Sequence, residues 1–179
     1  ERAAQAKVLG ATGLLVAPGL TGFDALRALA LDEALALPVA SHPSFLGTQV
    51  SQRSNGLAPA VAYGLLPRLA GADMTIYPSF DSGYLMSRED CVSVALSCRQ
   101  PWNHILPTMP SLGGRVGFDR VPALMKTMGR DVVLVLGSRI QQDARGVVAA
   151  VQAFQRLLTE SLQCRFLEET APSTMIAGS

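Results

Sequence analysis

The 179 residues carry 15 basic and 14 acidic side chains for a formal net charge of +1, scattered along the chain, which leaves no electrostatic footprint for nucleic acid. The chain is 49% apolar and 16% charged, against roughly 25% charged in an ordinary globular protein, so it has either a heavily buried α/β core or a surface meant to meet another chain or domain. No apolar stretch approaches the roughly 18 residues of a membrane span, and residues 1–7 read as an amphipathic helical start rather than a signal peptide.

Residues 1–9 are expected to form a helix stopped by Gly10. A short apolar run at 13–18 ends in a proline and precedes a helix over 23–30, entered at Thr21-Gly22. A second run follows at 37–43, then a helix over 59–70 with Val61, Leu65, Leu66 and Leu69 at helical spacing and Gly71 at its end. After a third run at 72–78, Ser87-Arg88-Glu89-Asp90 is a strong helix start, Ser87 capping and Asp90 three residues on as an acidic relative of the capping box. The fourth run is 104–110. Asp119 is expected to cap a helix over 120–125, with Pro122 tolerated in its first turn. The fifth run, 131–137, leads to a last helix opened by Asp143 or Gly146 and running through Leu162, and the polar tail 168–179 is expected to be frayed.

Short continuous apolar runs are how buried parallel strands read, because helices cover their faces. Spacing of about thirty residues fits a strand plus its crossover helix. The predicted order is therefore a helix followed by five strand–helix units. Two architectures share that order: an isolated doubly wound sheet, or five consecutive units of an eight-unit barrel. The phosphate-binding glycine fingerprint of the first is missing, since Ala17-Pro18-Gly19-Leu20-Thr21-Gly22 is not G-x-G-x-x-G. In either fold the chemistry sits in the loops at the carboxyl ends of the strands, here 18–24, 42–47, 77–84, 111–115 and 137–139.

Thirteen of the fifteen basic residues are arginine, and Lys7 and Lys126 are the two lysines, which removes most candidates for a catalytic lysine. Cys91 and Cys98 lie two helical turns apart on one face, and with Cys164 they have no metal-ligand spacing. They read as buried reduced thiols of a cytoplasmic protein. Asp24, Asp73, Asp81 and Asp143 come from different loops, so a tight Mg²⁺ site is not expected from this chain alone.

Residues 10–23, Gly10-Ala11-Thr12-Gly13-Leu14-Leu15-Val16-Ala17-Pro18-Gly19-Leu20-Thr21-Gly22-Phe23, resemble the fourth barrel strand and loop of the RuBisCO superfamily large chain, in the form found in RuBisCO-like proteins. Leu37-Pro38-Val39-Ala40-Ser41-His42-Pro43-Ser44-Phe45-Leu46-Gly47, Leu69-Ala70-Gly71-Ala72-Asp73, and Gly113-Gly114 ahead of Pro122 agree in order and spacing. The match covers roughly residues 1–158. The resemblance implies strands four to eight of a (β/α)₈ TIM-type barrel over residues 1–167, a partial barrel in this chain.

His42 is similar to the family's active-site histidine at the end of the fifth strand, although a histidine beside a proline can also simply cap a strand end. True carboxylases follow that histidine with Arg and a second His, where this chain has Pro43 and Leu46. They carry a lysine in the loop after the sixth strand, where this chain has Pro78-Ser79-Phe80-Asp81-Ser82-Gly83-Tyr84-Leu85. Phe80 and Tyr84 would then form a mobile lid, the alternative being an ordinary surface loop, and Asp81 is a weak candidate base. The family's phosphate site, on backbone amides after strands seven and eight, would correspond to Ser111, Gly113 and Gly114 and to Gly137, Ser138 and Arg139. Arg139 stands where a glycine is usual, and either contacts an anion or fills its space.

The family's Mg²⁺ is held by a carbamylated lysine and following acidic residues on the second strand, ligands absent from this chain. The implied activity is enolisation or proton transfer next to a carbonyl, of the isomerase, enolase or decarboxylase (lyase) type. Its substrate would be a phosphorylated sugar or methylthio-sugar, without CO₂ fixation. Other readings are a non-catalytic half-barrel acting as an assembly partner and an unrelated five-strand binding domain. A homo-oligomer (dimer) or the remaining part of the barrel is the expected partner, with neither nucleic acid nor membrane involved.

Overall fold

The computed structural model describes residues 1–52, 54–80, 82–114 and 116–170, with side chains through Gln163; Asp81, Arg115, the Cys164 side chain and tail positions 171–179 lie outside the described residues. Two compact units result: Glu1–Val116 with Asp131–Leu136, and Gly117–Arg130 with the chain from Gly137 onward.

All described strands belong to the first unit. They are β1 (Leu14–Val16), β2 (Val39–Ser41), β3 (Met74–Pro78), β4 (Met109–Gly113) and β5 (Val133–Leu134). They lie side by side in chain order, each parallel to the next, with Leu14 opposite Val39, Ala40 opposite Met74, Met74 opposite Met109 and Ser111 opposite Val133. A doubly wound sheet reverses its strand order at a switch point and keeps its first strand inside. Here β1 is one edge and β5 the other. Strictly sequential parallel order is what consecutive units of a (β/α) barrel produce.

Each crossover carries helix. The helices of this unit are α1 (Arg2–Val8), α2 (Pro18–Thr21), α3 (Phe23–Ala30), α4 (Gly47–Val50), α5 (Leu66–Leu69) and α6 (Arg88–Arg99). On one face of β1 and β2, Val16, Leu26, Val39, Ala70 and Ala72 form an apolar cluster against which Phe23, Leu29 and Ala30 pack. Fully burying a leucine such as Leu26 contributes about 1.5–3 kcal/mol. The opposite strand face is left open: Leu15 is 63% exposed and Val135 39%. α6 starts as its sequence predicts, since Ser87 Oγ accepts the Asp90 N–H at 3.0 Å and Asp90 Oδ2 accepts the Ser87 N–H at 3.0 Å. Cys91 and Cys98 are buried thiols on α6, neither in a disulfide, and burial pushes Cys98 up to about 12.

The second unit contains a 3₁₀ turn (Phe118–Arg120), α7 (Val121–Met128), α8 (Gly137–Gln141) and α9 (Val147–Thr170). Phe118 and Phe154 stack with ring centroids 6.0 Å apart, and Val121, Leu124, Met128 and Ala150 are buried. The expected Asp119 cap is not made. Asp119 lies inside the 3₁₀ turn, pairs with Arg120 at 3.4 Å, and α7 starts without a side-chain cap. Asp143 does not open the last helix either. Arg145 grips it bidentately at 2.9 and 2.8 Å, which holds its carboxyl well below the usual range, and α9 begins after Gly146 and runs past Leu162 to Thr170.

Two further departures lie in the first unit. The helix expected over 59–70 is π-helical from Ala60 to Leu65 before α5. Its buried face is Ala62, Tyr63, Gly64, Pro67 and Arg68, whereas Leu69 is 40% exposed. The fourth strand begins at Met109, not near His104, because the carbonyls of the preceding loop are already taken. Arg68, 2% exposed, donates Nε to Leu106 O (2.8 Å), Nη1 to Ser97 O (2.9 Å) and Gln100 O (2.7 Å), and Nη2 to Ile105 O (2.9 Å), with Trp102 under its guanidinium at 5.7 Å.

Losing those donors leaves the buried Ser97 carbonyl unpaired, at about 1–3 kcal/mol, and three partly buried carbonyls unpaired at a smaller cost each. Arg68→Met is therefore expected to lower stability by about 3 kcal/mol, read as a lowered urea midpoint of the intact protein. Arg68→Lys should recover only part of it, because an ammonium cannot reproduce the planar fork.

Candidate functional site

At the carboxyl ends of the strands of the first unit lies a cleft of about 730 Å³, a size that suits a small-molecule ligand. Leu15 of β1, Ile76 of β3 and Val135, just past β5, form its apolar floor. The β2 loop contributes His42, Pro43, Ser44 and Phe45, the β3 loop Tyr84, Leu85 and Met86, and the end of β4 Gly113 and Gly114.

His42 follows β2 directly, its N–H donating to Val16 O at 2.7 Å. Pro43 has no N–H, so the first free backbone donor after the histidine is Ser44. That N–H reaches His42 Nδ1 at 3.3 Å, and Ser44 Oγ lies 2.8 Å from the same nitrogen. The turn is held from below by Gly19 at the start of α2, where a Cβ would stand 2.3 Å from Ser44 O. Only glycine lets the β1 and β2 loops approach so closely.

The β3 loop leaves the sheet pinned, Ser79 N–H to Gly113 O at 2.9 Å and Ser82 Oγ to Ser79 O at 2.5 Å. It then lays Tyr84 over the end of β4. Gly114 has φ +79°, and a Cβ there would meet Tyr84 Cε2 at 3.0 Å and Cδ2 at 3.2 Å. Tyr84 thus faces the cleft over Gly114. Phe80 does not share that role: it is 7% exposed, lies under the Arg88 guanidinium at 4.9 Å, and is not a cleft residue.

The remaining expected phosphate residues divide. Ser111 is inside β4, fully buried, with Oγ turned to Met109 O at 3.4 Å, so only Gly113 and Gly114 of the first set border the cleft. Gly137, Ser138 and Arg139 form the first residues of α8 in the second unit. Gly137 has no positive φ, so its backbone makes no demand for glycine.

Tyr63 is a cleft residue that sequence reasoning missed. It sits on the π-helical segment, whose wider turn rotates the helix face, and π-bulges recur at functional sites. Thr75 Oγ1 ties its carbonyl to β3 at 2.6 Å, while Gly64 beside it packs on α6, a Cβ there falling 2.8 Å from Ser97 Cβ. Burial pushes the Tyr63 hydroxyl above its ordinary pKa, which keeps it a hydrogen-bond donor. Nothing in the sequence signals the π turn, because Val61, Leu65 and Leu69 already read as an ordinary apolar stripe.

Mg²⁺ does not fit the described residues. Among the described residues no three His, Cys, Asp or Glu side chains converge. Asp73 is engaged at the start of β3, Oδ2 accepting the Val39 N–H at 2.8 Å. Asp143 is occupied by Arg145. No step below is routed through a metal.

Sequential parallel β/α units with a cleft at the strand ends define a segment of a TIM-type barrel. No protein-family model matches the chain. Over 163 residues it is 36% identical to the ribulose bisphosphate carboxylase-like protein of Archaeoglobus fulgidus, covering 91% of this chain and 37% of that one. It is 32% identical over 172 residues to the 2,3-diketo-5-methylthiopentyl-1-phosphate enolase of Geobacillus thermodenitrificans, covering 94% and 41%. The crystal structure of a rubisco-like protein (MtnW) from Alicyclobacillus acidocaldarius superposes with TM-score 0.83 at 30% identity, covering 97% of this chain and 43% of that one. The chain is a homologue of the RuBisCO-like proteins and corresponds to the C-terminal part of their larger chain. It spans about two-fifths of the length of these relatives. Among the described residues, no helix is long and apolar enough to cross a membrane.

The seat of Tyr84 on Gly114 makes a measurable coupling. Gly114→Ala is expected to cost about 1–2 kcal/mol for its left-handed backbone alone, plus the clash with the ring. In a Tyr84→Ala background the clash disappears and the backbone cost stays. Chemical denaturation of the four proteins measures the difference; strictly additive costs would mean that the ring is not seated there.

Proposed function

We propose that the cleft binds a small phosphorylated carbonyl compound and that the whole protein moves a proton at the carbon next to that carbonyl, an enolase-type reaction on a methylthio-sugar phosphate. The observation that carries this reading is one juxtaposition at the ends of neighbouring parallel strands. The His42 imidazole, the Gly113-Gly114 backbone and apolar walls that include Leu15, Ile76 and Val135 border a single cleft. An imidazole donates to or exchanges a proton with a substrate oxygen near neutral pH. Gly113 and Gly114 carry no Cβ, and the Tyr84 ring now on Gly114 would lift for a phosphate to reach that backbone. The apolar walls suit a thioether tail, and Tyr84 would roof the ligand and exclude water. The names of the enolase relatives agree with this reading.

Proton transfer without CO₂ fixation is supported by Pro43 and Leu46, which stand at the positions where the resemblance places the carboxylases' Arg and second His. Leu46 is 3% exposed and packed in the interior, leaving no polar group there. The exposed Leu15 and Val135 on the cleft side support completion of the barrel by residues beyond this segment, from the same protein or from a partner copy. A half-barrel serving only for assembly would leave the His42–Gly114 cleft without a task.

The test is hydrogen–deuterium exchange at the carbon next to the carbonyl of 2,3-diketo-5-methylthiopentyl-1-phosphate, catalysed by the whole protein. His42→Ala is expected to slow exchange by about 10²-fold or more. An unchanged rate in a folded His42→Ala protein would overturn the reading and leave His42 as a strand-end cap.

A further inference from the structure

We infer that Ser44 is a positioning residue that fixes the tautomer of His42, making the neutral imidazole an Nε2–H donor toward the cleft rather than a base there. The inference rests on the proposed role of His42 and adds the direction in which its proton points. The Ser44 peptide N–H can only donate, and it is directed at His42 Nδ1 at 3.3 Å. A nitrogen that accepts a hydrogen bond carries no proton, so in the neutral ring the proton resides on Nε2. Ser44 Oγ lies 2.8 Å from the same nitrogen, and once the peptide N–H has set Nδ1 as the acceptor the hydroxyl donates to it as a second partner. Nε2 has no partner among the described residues, so it is the ring nitrogen free to meet a ligand in the cleft that His42 lines.

The turn is built to hold this arrangement. Pro43 removes the intervening donor and restricts the histidine before it to extended backbone. Phe45 takes φ +65°, a costly conformation for a bulky residue, directly after Ser44. Gly19 closes the space behind the Ser44 carbonyl. An Nε2–H donor polarises a carbonyl or stabilises an enolate oxygen. The group that removes the carbon-bound proton is therefore a different one.

Long-range ¹H–¹⁵N NMR of the intact, histidine-labelled protein reads the tautomer directly, with the His42 signals assigned by their loss in His42→Gln. At a pH where the ring is neutral, Nδ1 is expected to resonate as an unprotonated, pyridine-like nitrogen and Nε2 as a protonated one. A protonated Nδ1 in the unmutated protein would overturn the inference, whatever the variants do. Ser44→Ala, which keeps the peptide N–H, should move both nitrogens toward the averaged shifts of a tautomer mixture, and Ser44→Thr should restore the pattern. A tautomer as pure in Ser44→Ala as in the parent would overturn the role of Ser44.

In the exchange assay with 2,3-diketo-5-methylthiopentyl-1-phosphate, Ser44→Ala should lower kcat about tenfold with KM little changed, and Ser44→Thr should recover it. The two readings fail separately. An unchanged rate in His42→Ala alongside the expected NMR pattern sinks the proposed function and leaves the tautomer assignment standing. A slow His42→Ala with a protonated Nδ1 does the reverse.

Discussion

The buried guanidinium of Arg68 is the constraint on which the layout of the first unit turns. Its donors hold four carbonyls between Ser97 and Leu106, the last residues of α6 and the connection to β4. A parallel strand cannot begin until its carbonyls are free to enter a ladder, so β4 starts at Met109, whose N–H donates to Asp73 O at 2.8 Å. With that register set, β4 runs beside β3 until Gly113 lies opposite Pro78. The glycines of the cleft thus end a strand whose approach is anchored by Arg68. A charge buried this deeply is tolerable because four of its five N–H donors are met by carbonyls.

The same economy of donors organises the cleft. In the β2 loop Pro43 supplies none, and the Ser44 N–H is spent on a side chain rather than on secondary structure. In the β3 loop the Ser79 N–H and the Ser82 hydroxyl are spent within the loop and on Gly113, which steers the chain so that Tyr84 lies on Gly114. Polar groups at the strand ends are thus few and directed, while the walls are apolar. In such surroundings a single aimed N–H acts more strongly than it would in water.

The open strand face and the polar strand ends belong to one arrangement. Residues pointing away from the α-helices, such as Leu15, Ile76 and Val135, are those that a closed barrel would turn inward. In this segment they border the cleft instead. The mixture of a mostly buried outer face, with Tyr77 and Leu112 inaccessible, and a partly exposed inner one is what five consecutive units of a larger barrel present. The two-fifths span relative to the RuBisCO-like chains agrees.

Much of this was written in the sequence, because it depends on local chemistry. Apolar runs located four of the five strands and only the first two residues of β4, Ser87 and Asp90 announced the start of α6 through a reciprocal pair of hydrogen bonds between neighbours, and the His42 and Gly113-Gly114 motifs marked two parts of the cleft. What needed distant groups was not legible. The start of β4 is set by Arg68 from 29 to 38 positions away. The π turn that brings Tyr63 to the cleft is hidden behind an ordinary apolar stripe. Phe80 and Ser111 read as site residues, and packing buried them. The alternation of strands and helices alone did not choose between a doubly wound sheet and barrel units; the resemblance of residues 10–23 and 37–47 pointed to the barrel, and the sequential strand order bears it out. Both architectures use the same strand–helix alternation, and they differ in which strands exchange hydrogen bonds, a non-local fact that no short window of residues contains.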